Sequence, residues 1–447
     1  MKRPLTLPER VMYQDGRVPI AIVLPIEIHG QLSEERLHNA LAGLQAKHLL
    51  LRCLIEYKDG RPWFQVQESP PPIPLRILAR RNADDWVREC GTEEARLFDA
   101  GAPLVRLTWL RGEDASELLL TCHHCLCDGA SVVTLLRELL LLHDAPEHDI
   151  GRDDSLHTYA ELLPDAVLQD HRLQRRIRWM AALLRLVIRF FPSGRALTYN
   201  DRYTLRWTLD QSTLQALTRR CETEGISVFG ALSVALILGF RDVCGARGVK
   251  KFTVPVDARK FLPKLQADHL FLIAPTIDVS LETPEADKIT EAGFWNLGRA
   301  LKTDMWQKIG RLGAKFYRHL LGMEYLHSVY TKMLALAASR PAARNVSLSY
   351  LGRLDLAQDR RDFRIVAVHS PSAALTPAPL VIISRFADSL DFSFVADEKC
   401  LPRSQAVAIR DTAMKILHDC AQLSAEAEPR TEPATTPPLP VPMEVTA

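Results

Sequence analysis

The stretch that decides the fold spans residues 118–131 and reads LLLTCHHCLCDGAS. Its apolar first half is typical of a buried strand, and the Asp-Gly pair after the two histidines is typical of a turn. Ser131 opens the apolar segment SVVTLLRELLLL, where it is predicted to cap a helix. The sequence therefore predicts that the two histidines lie in a turn between a strand and a helix.

The pair His123 and His124 is the leading candidate for chemistry in this turn. Neighbouring side chains of a strand point to opposite faces, so only one of the two can face a given cavity. An imidazole is a suitable general base for a hydroxyl or amine nucleophile because its ordinary pKa is near 6.5. Asp128 is either a second catalytic group or the partner of an arginine that holds the loop, and Gly129 gives the turn backbone freedom.

A metal site and a cysteine nucleophile are two other kinds of site that could use these residue types. The potential metal ligands are Cys122, His123, His124, Cys125, Cys127 and Asp128. They lack a second, spaced pair of ligands, so no metal is predicted. A cysteine nucleophile is disfavoured because such residues usually stand at helix starts with the base elsewhere in the chain. A purely structural role for the histidine pair stays open at this point.

The composition indicates a globular protein and argues against a nucleic acid partner. The 447 residues, 47% of them hydrophobic and 25% charged, are typical of a globular chain of two to three domains. Lys+Arg 56 against Asp+Glu 54 leaves a formal charge of +2, so no nucleic acid partner is expected. An odd count of nine cysteines and an amino terminus without an apolar signal region predict reduced thiols and a cytoplasmic location.

The pattern of strands and helices predicts an α/β fold with mixed sheets in two blocks. Residues 1–150 form the first lobe, 151–200 a linker with a basic helix, and 201–424 the second lobe, whose predicted strands include FRIVAVHS. Residues 425–447 are rich in Pro and Thr and are predicted to be a disordered tail. No apolar run reaches about 18 residues, so no segment is expected to span a bilayer.

A basic helix is predicted over residues 170–191. Six arginines stand among its apolar residues: Arg172, Arg175, Arg176, Arg178, Arg185 and Arg189. Such a helix can lie as a peripheral contact on the inner face of an anionic membrane with its apolar face inserted. The alternative is a surface helix that packs on its own domain and points its arginines to water.

The segment HHCLCDG at residues 123–129 resembles the HHxxxDG motif of the condensation-domain and chloramphenicol-acetyltransferase-like superfamily of acyltransferases. Its position about 125 residues into the chain, after a strand and before a helix, agrees with that family. The segments KHLLLR (47–52), VPVDAR (254–259) and LSYLGRL (348–354) extend the resemblance to about residue 423. In overall look the chain is similar to stand-alone enzymes such as the phthiocerol/phthiodiolone dimycocerosyl transferases.

The resemblance implies a fold and a reaction. Two chloramphenicol-acetyltransferase-like lobes would form a V-shaped pseudo-dimer with a central tunnel. An acyl group would move from a thioester on CoA or on a phosphopantetheinyl carrier protein, with no bound cofactor, to an alcohol or amine acceptor, a lipid among the candidates. His124 would be the general base, while His123, Asp128 and Gly129 would support it and Arg52 would pair with Asp128.

The late strand LSYLGRL departs from the family pattern. Where many such enzymes have Ser-Asn before a glycine, this chain has Tyr350 and Leu351, and the plant signature DFGWG is absent. Ser347 and Ser349 are candidates for stabilising an oxyanion or lining the channel, although strand serines are common. The remaining candidate histidines, His269 and His369, are predicted to be structural.

Three functions remain after the sequence analysis. The first is an acyltransferase that forms esters, and the second is a stand-alone, amide-forming condensation enzyme of nonribosomal-peptide type. The third is a catalytically silent binding protein on the same fold, which the intact motif disfavours.

Overall fold

A computed structural model describes residues 1–99, 101–191, 201–245, 251–273, 275–279, 281, 289–339, 345–373 and 378–422. The predicted tail at 425–447 lies outside the described residues. Within these ranges the chain forms two large mixed sheets and one small sheet of three strands, with helices packed against them.

The first half of the chain alternates strands and helices. Its strands are β1 (Lys2–Pro4), β2 (Ala21–Gly30), β3 (Cys53–Lys58), β4 (Arg61–Val66), β5 (Leu75–Ala79), β6 (Val105–Arg111) and β7 (Ala115–His123). Its helices are α1 (Leu7–Tyr13), α2 (Glu34–Lys47), α3 (Asp85–Ala95), α4 (Gly129–Asp144), α5 (Tyr159–Leu162), α6 (Asp165–Gln169) and α7 (His171–Arg189).

The second half follows a similar order. Its strands are β8 (Arg202–Leu209), β9 (Lys251–Pro255), β10 (Thr276–Val279), β11 (Asn345–Arg353), β12 (Phe363–Val368), β13 (Ser372–Ala373), β14 (Leu380–Phe386) and β15 (Ser389–Asp397). Its helices are α8 (Gln211–Thr223), α9 (Val228–Cys244), α10 (Glu291–Glu324), α11 (Tyr330–Ser339) and α12 (Arg403–Gln422).

The first lobe is built on the sheet β12-β2-β7-β6-β5. β5 and β6 are parallel, and the remaining neighbours are antiparallel. Helix α2 begins after Ser33, whose side chain accepts a hydrogen bond from the backbone of Arg36. Its residues Leu37, Leu41 and Leu44 share one helix face and are buried beside α4, so this face closes the first-lobe core.

The second lobe is built on the sheet β10-β9-β11-β14-β15-β8. β11 runs parallel to both of its neighbours, β9 and β14. Helix α9 is buried along most of its length, as its nearly continuous apolar sequence predicts, and it packs against α12. A side chain on Gly239 would place its Cβ 2.8 Å from the Ile409 carbonyl oxygen, so glycine permits this close helix contact.

The second half of the chain contributes two strands to the first-lobe sheet. β12 and β13 come from the second half of the chain but pair with β2 in the first-lobe sheet. Residues 363–373 therefore complete the first-lobe sheet, whereas the prediction assigned them to the second lobe as part of residues 201–424. The predicted α/β fold of two lobes with mixed sheets is confirmed, whereas the V shape and the tunnel stay predictions.

None of the described helices is long and apolar enough to cross a bilayer by itself. The consecutive helices α8 and α9 reach that composition only together, and the chain bends by 105° between them.

Candidate active site

The histidine turn is held by backbone hydrogen bonds at the end of β7. The backbone N–H of His123 donates to Leu104 O at 2.8 Å, and that of His124 donates to Ile20 O at 2.9 Å. The chain then turns, and α4 begins at Gly129 with Asp128 as its N-cap. Both flanks of the turn are thereby fixed to the first-lobe sheet and to a buried helix.

The predicted cap at Ser131 is wrong, because the N-cap is Asp128, three residues earlier. The Asp128 carboxylate accepts from the Ser131 backbone N–H and from its hydroxyl, each at 3.0 Å. Aspartate and serine are both good N-caps, so the local sequence alone does not distinguish Asp128 from Ser131 as the cap. The Ser131 hydroxyl instead accepts hydrogen bonds from Arg259 and from the Phe271 backbone N–H.

His124 is held as one tautomer. Its Nδ1 lies 2.9 Å from the Cys127 carbonyl oxygen, which can only accept, so Nδ1 carries the proton. Nε2 is then unprotonated, and it forms no hydrogen bond with a described residue. The side chain is 8% exposed, and burial lowers its pKa although the nearby Asp128 charge opposes this shift. A neutral imidazole with a free Nε2 is the form that a general base needs.

His123 occupies a different environment. Its ring lies between Tyr13 and Phe98, with centroid distances of 5.5 and 5.2 Å. Nδ1 accepts a hydrogen bond from the Cys125 backbone N–H at 3.2 Å. Burial, followed by the neighbouring His124 and the Arg106 charge, lowers the pKa of His123 to about 3. This ring supports the turn as a neutral group inside an aromatic cage.

Asp128 is paired with Arg259, which comes from the second lobe. Arg259 Nη1 donates to Asp128 Oδ2 at 2.7 Å and Nη2 donates to Oδ1 at 3.0 Å, so the pair is bidentate. Burial opposes the charge of Arg259, but Asp128, with a smaller contribution from Asp257, raises the Arg259 pKa above its ordinary value. The ion pair therefore ties the histidine turn to a segment 131 residues further along the chain.

The predicted partnership of Arg52 with Asp128 is wrong. Arg52 follows α2 in a short turn and donates to the backbone oxygens of Gln67 and Glu68, at 3.3 and 3.1 Å. Its guanidinium is thus used to hold the chain between β4 and β5. The signal for the true partner was present in VPVDAR, whose last residue is Arg259.

Gly129 is required for close packing. It is not among the residues with positive φ, so the left-handed freedom expected from a turn glycine is not its role. A Cβ at this position would lie 2.5 Å from Leu351 Cδ2. Because Leu351 belongs to β11, the second lobe reaches the start of α4 through this contact.

Ser347 and Ser349 lie on β11, the strand that carries Leu351. They pair in register with Leu380 and Ile382 of β14, and Ile382 is part of the first-lobe core. The alternate residues of β11, Val346 and Leu348, belong to the second-lobe core. The two serines are therefore on the face of the second-lobe sheet that looks toward the first lobe.

The cysteines around the motif are buried thiols. Cys122, Cys125 and Cys127 are fully buried. Burial raises the pKa of Cys125 well above its ordinary value, and a hydrogen bond with Cys122, together with burial, does the same for Cys127. The thiolate that a cysteine nucleophile or a metal ligand requires is thus disfavoured at both positions.

The other candidate histidines have partners of their own. His369 Nδ1 lies 3.3 Å from Asp391 Oδ2, and its ring stacks on Trp86 at 4.0 Å. His269 stacks on His157 at 4.3 Å, and ligand atoms of His157, His269 and Asp153 lie within 4.8 Å of one another. These three side chains could ligate a metal ion, and the absence of a metal site stays a prediction.

The two-lobed fold and the neutral His124 agree with the acyltransferase resemblance of the HHCLCDG motif. Residues 21–260 match the condensation domain family. Because this match covers more than half of the chain, the chain belongs to the condensation domain family. Membership supports acyl transfer or peptide-type condensation in general.

Curated relatives match only part of the chain. Surfactin synthase subunit 1 of Bacillus subtilis (strain 168) is 27% identical over 157 residues, which cover 32% of this chain and 4% of that protein. The phosphinothricin tripeptide synthetase PhsC of Streptomyces viridochromogenes is 32% identical over 141 residues, or 30% of this chain and 13% of that protein. The matches thus span a small part of both relatives.

Solved structures share the fold over nearly the whole chain. The trichothecene 15-O-acetyltransferase TRI3 of Fusarium sporotrichioides superposes with a TM-score of 0.70 at 12% identity, covering 94% of this chain and 95% of that one. The polyketide synthase associated protein 5 of Mycobacterium tuberculosis has a TM-score of 0.62 at 18% identity, covering 93% and 98%. The predicted likeness to dimycocerosyl transferases in particular stays a prediction.

Proposed function

We propose that this protein transfers an acyl group from a thioester, on CoA or on a phosphopantetheinyl carrier protein, to an alcohol, with His124 as the general base. The observation that carries the proposal is the hydrogen bond from His124 Nδ1 to the Cys127 carbonyl oxygen at 2.9 Å. It leaves Nε2 as the basic atom in a turn that Asp128 and Arg259 hold in place.

The reaction proceeds without a covalent acyl-enzyme. The acceptor oxygen attacks the thioester carbonyl while His124 Nε2 takes the hydroxyl proton. The carbon–sulfur bond then breaks, and the imidazolium returns the proton to the departing thiolate. The products are an ester, a free thiol and neutral His124, and such a base typically contributes about 10²- to 10⁴-fold to the rate.

The developing oxyanion needs hydrogen-bond donors, and the best-placed candidates are the hydroxyls of Ser347 and Ser349. Both lie on the face of β11 that looks toward the first lobe, and the same strand contacts Gly129 of the motif through Leu351. One donor to an oxyanion is commonly worth about 10²- to 10³-fold in kcat. The two serines therefore deserve separate substitution to alanine.

Amide formation is the second candidate function. The curated relatives include a phosphinothricin tripeptide synthetase, whose name points to a peptide product. An amine acceptor would use the same base, and the donor would be bound to a carrier protein.

Mass spectrometry of products tests these alternatives. The purified chain is incubated with acyl-CoA thioesters, or with the same acyl groups on a phosphopantetheinylated carrier protein, and with a matched panel of alcohols and amines. The proposal expects esters that require His124. Amides alone would support the second function, and an absence of turnover over both donors would support a silent binding protein.

A further inference from the structure

Helix α7 concentrates exposed apolar side chains. Eight of the fourteen large hydrophobic residues that are exposed in the described part of the chain lie between residues 179 and 191. Trp179 is 67% exposed and Phe190 is 80% exposed. The eight residues are Trp179, Met180, Leu183, Leu184, Leu186, Val187, Phe190 and Phe191. Contiguous apolar surface of this kind usually marks an interaction site.

The opposite face of α7 fixes the helix to the protein. Ile177, Ala181 and Ile188 are buried, and the last two pack in a cluster with Leu326 and Tyr330. Trp179, Leu183, Leu186 and Phe190 recur at helical spacing on the side away from these buried residues. The exposed stripe is therefore presented by a helix that is anchored along its length.

The charge of α7 has one sign. Residues 171–191 contain six arginines and no acidic residue. None of the six forms an ion pair with a described residue, and all except Arg185 are exposed. Arg172, Arg175 and Arg176 precede the apolar stripe, while Arg185 and Arg189 flank it. An exposed apolar stripe beside unpaired arginines is complementary to a surface that has an apolar interior and anionic groups at its boundary with water.

A cavity of about 440 Å³ adjoins the helix at Arg185. Arg10 and Arg61 also line it, and the Nε atoms of both are buried without a hydrogen-bond partner in the described chain. Of the carboxylates in the lining, Glu324 already accepts from the Leu7 backbone N–H at 2.8 Å and contacts the His327 ring at 3.2 Å. Arg10 lies beside Asp15, with 3.9 Å between Nε and Oδ1. The lining thus combines three arginines with two carboxylates, Asp59 and Glu324, which leaves an excess of positive charge for an incoming anionic group.

We propose that α7 docks on a bilayer of anionic phospholipid, with the Trp179 stripe inserted and the arginines against the headgroups. One headgroup phosphate then occupies the cavity beside Arg185. A second copy of the chain is a poorer occupant, because pairing two α7 surfaces would bring two sets of unpaired arginines together. Docking is independent of acyl transfer, since none of these residues belongs to the histidine turn.

Vesicle flotation tests the docking. The full chain is mixed with vesicles of phosphatidylcholine alone or of equal parts phosphatidylcholine and phosphatidylglycerol. We expect flotation only with phosphatidylglycerol, and its loss at about 1 M salt, where the Debye length falls to about 3 Å. Equal flotation with both vesicles, insensitivity to salt, or binding to an acidic protein but to neither vesicle would overturn the proposal.

Two tryptophans provide a matched pair of variants. Trp179 and Trp306 are 67% and 66% exposed, and Trp306 lies on α10. Trp179→Ala is expected to weaken vesicle binding about tenfold through lost insertion, and Trp306→Ala is expected to leave it unchanged. Both variants should keep wild-type transfer to a soluble acceptor, which separates this test from that of the catalytic function. Equal losses of vesicle binding in the two variants would contradict the assignment.

The cavity and the charges are tested separately. The double variant R175Q/R176Q should weaken binding about fivefold for each arginine at low salt, because one such charge near an anionic surface is worth about 1 kcal/mol. Arg61→Gln should weaken binding to phosphatidylglycerol vesicles without changing the unfolding midpoint. If inorganic phosphate displaces the vesicles at equal phosphate concentration, the cavity is a simple anion site and the headgroup assignment is wrong.

Discussion

The histidine turn at residues 123–129 and helix α7 both place ionisable groups among apolar side chains, but their surroundings differ. In the turn, His123, His124 and Asp128 are buried, and each has a hydrogen-bond partner inside the protein. On α7 five of the six arginines and most of the large apolar residues are exposed. Internal pairing fixes one protonation state and one geometry, which suits chemistry. An exposed stripe of one charge sign suits binding to an extended surface.

The histidine turn and α7 also differ in how much each depends on the rest of the chain. The turn needs an arginine from the second lobe and a strand that contacts Gly129, so its geometry is a property of the whole fold. The exposed apolar stripe and the arginines of α7, in contrast, all come from one helical segment. We therefore expect substitutions in the turn to affect activity or stability strongly, and those on the outer face of α7 to affect neither.

The largest expected effect is the loss of activity on replacing His124. His124→Ala should lower kcat/KM by about 10²- to 10⁴-fold, because the base that takes the acceptor proton is removed. The measurement is thiol release from an acyl thioester in the presence of an alcohol. His123→Gln is the neighbouring comparison, and it should retain much more activity because His123 faces the aromatic cage. Equal losses of kcat/KM in the two variants would contradict the different roles assigned to the two histidines.

The next largest effect is expected at Arg259. Arg259→Ala leaves the buried Asp128 carboxylate without its partner and should lower the free energy of unfolding by about 3 kcal/mol. Arg52→Ala removes hydrogen bonds to two backbone oxygens near the surface and should cost about 1 kcal/mol or less. Urea unfolding of the two variants measures the difference. A larger cost for Arg52→Ala would favour the partnership that the sequence resemblance implied.

A pH effect is expected from His123. The folded state holds its pKa at about 3, below the unfolded value of about 6.5, so the unfolded chain binds the proton first as the pH falls. Stability is nearly unaffected by this group above about pH 7 and declines below it, by about 2.5 kcal/mol between about pH 6 and pH 4. Comparing unfolding free energies of the wild type and His123→Gln over this window should show a shallower decline in the variant. Parallel curves would argue against a buried neutral ring.

The smallest effect is expected at Gly129. Gly129→Ala should cost about 1 kcal/mol, because the new Cβ forces Leu351 to move. Leu351→Ala in the same chain should relieve that clash, and a double-mutant cycle on unfolding free energies measures the coupling. Additive costs would show that the contact between β11 and α4 is not what requires glycine here.

Local features were predictable from the sequence, and long-range pairings were not. The apolar run before His123 and the periodic leucines after Asp128 predicted the strand and the helix on either side of the turn. The partner of Asp128 stands 131 residues away, and nothing in the spacing distinguishes Arg52 from Arg259. FRIVAVHS was correctly predicted as a strand, but its membership of the first-lobe sheet depends on tertiary contacts that leave no local pattern. For α7, the sequence could not decide which residues face outward.

The most direct test of the central claim is the pH dependence of kcat/KM, because it reports the ionisation of the free enzyme's base. Burial lowers the His124 pKa, so we expect a plateau at and above about pH 6.5 and a fall only below it. The residual activity of His124→Gln should lack this acidic limb. An acidic limb centred above about pH 7, or one that persists unchanged in His124→Gln, would show that another group is the base.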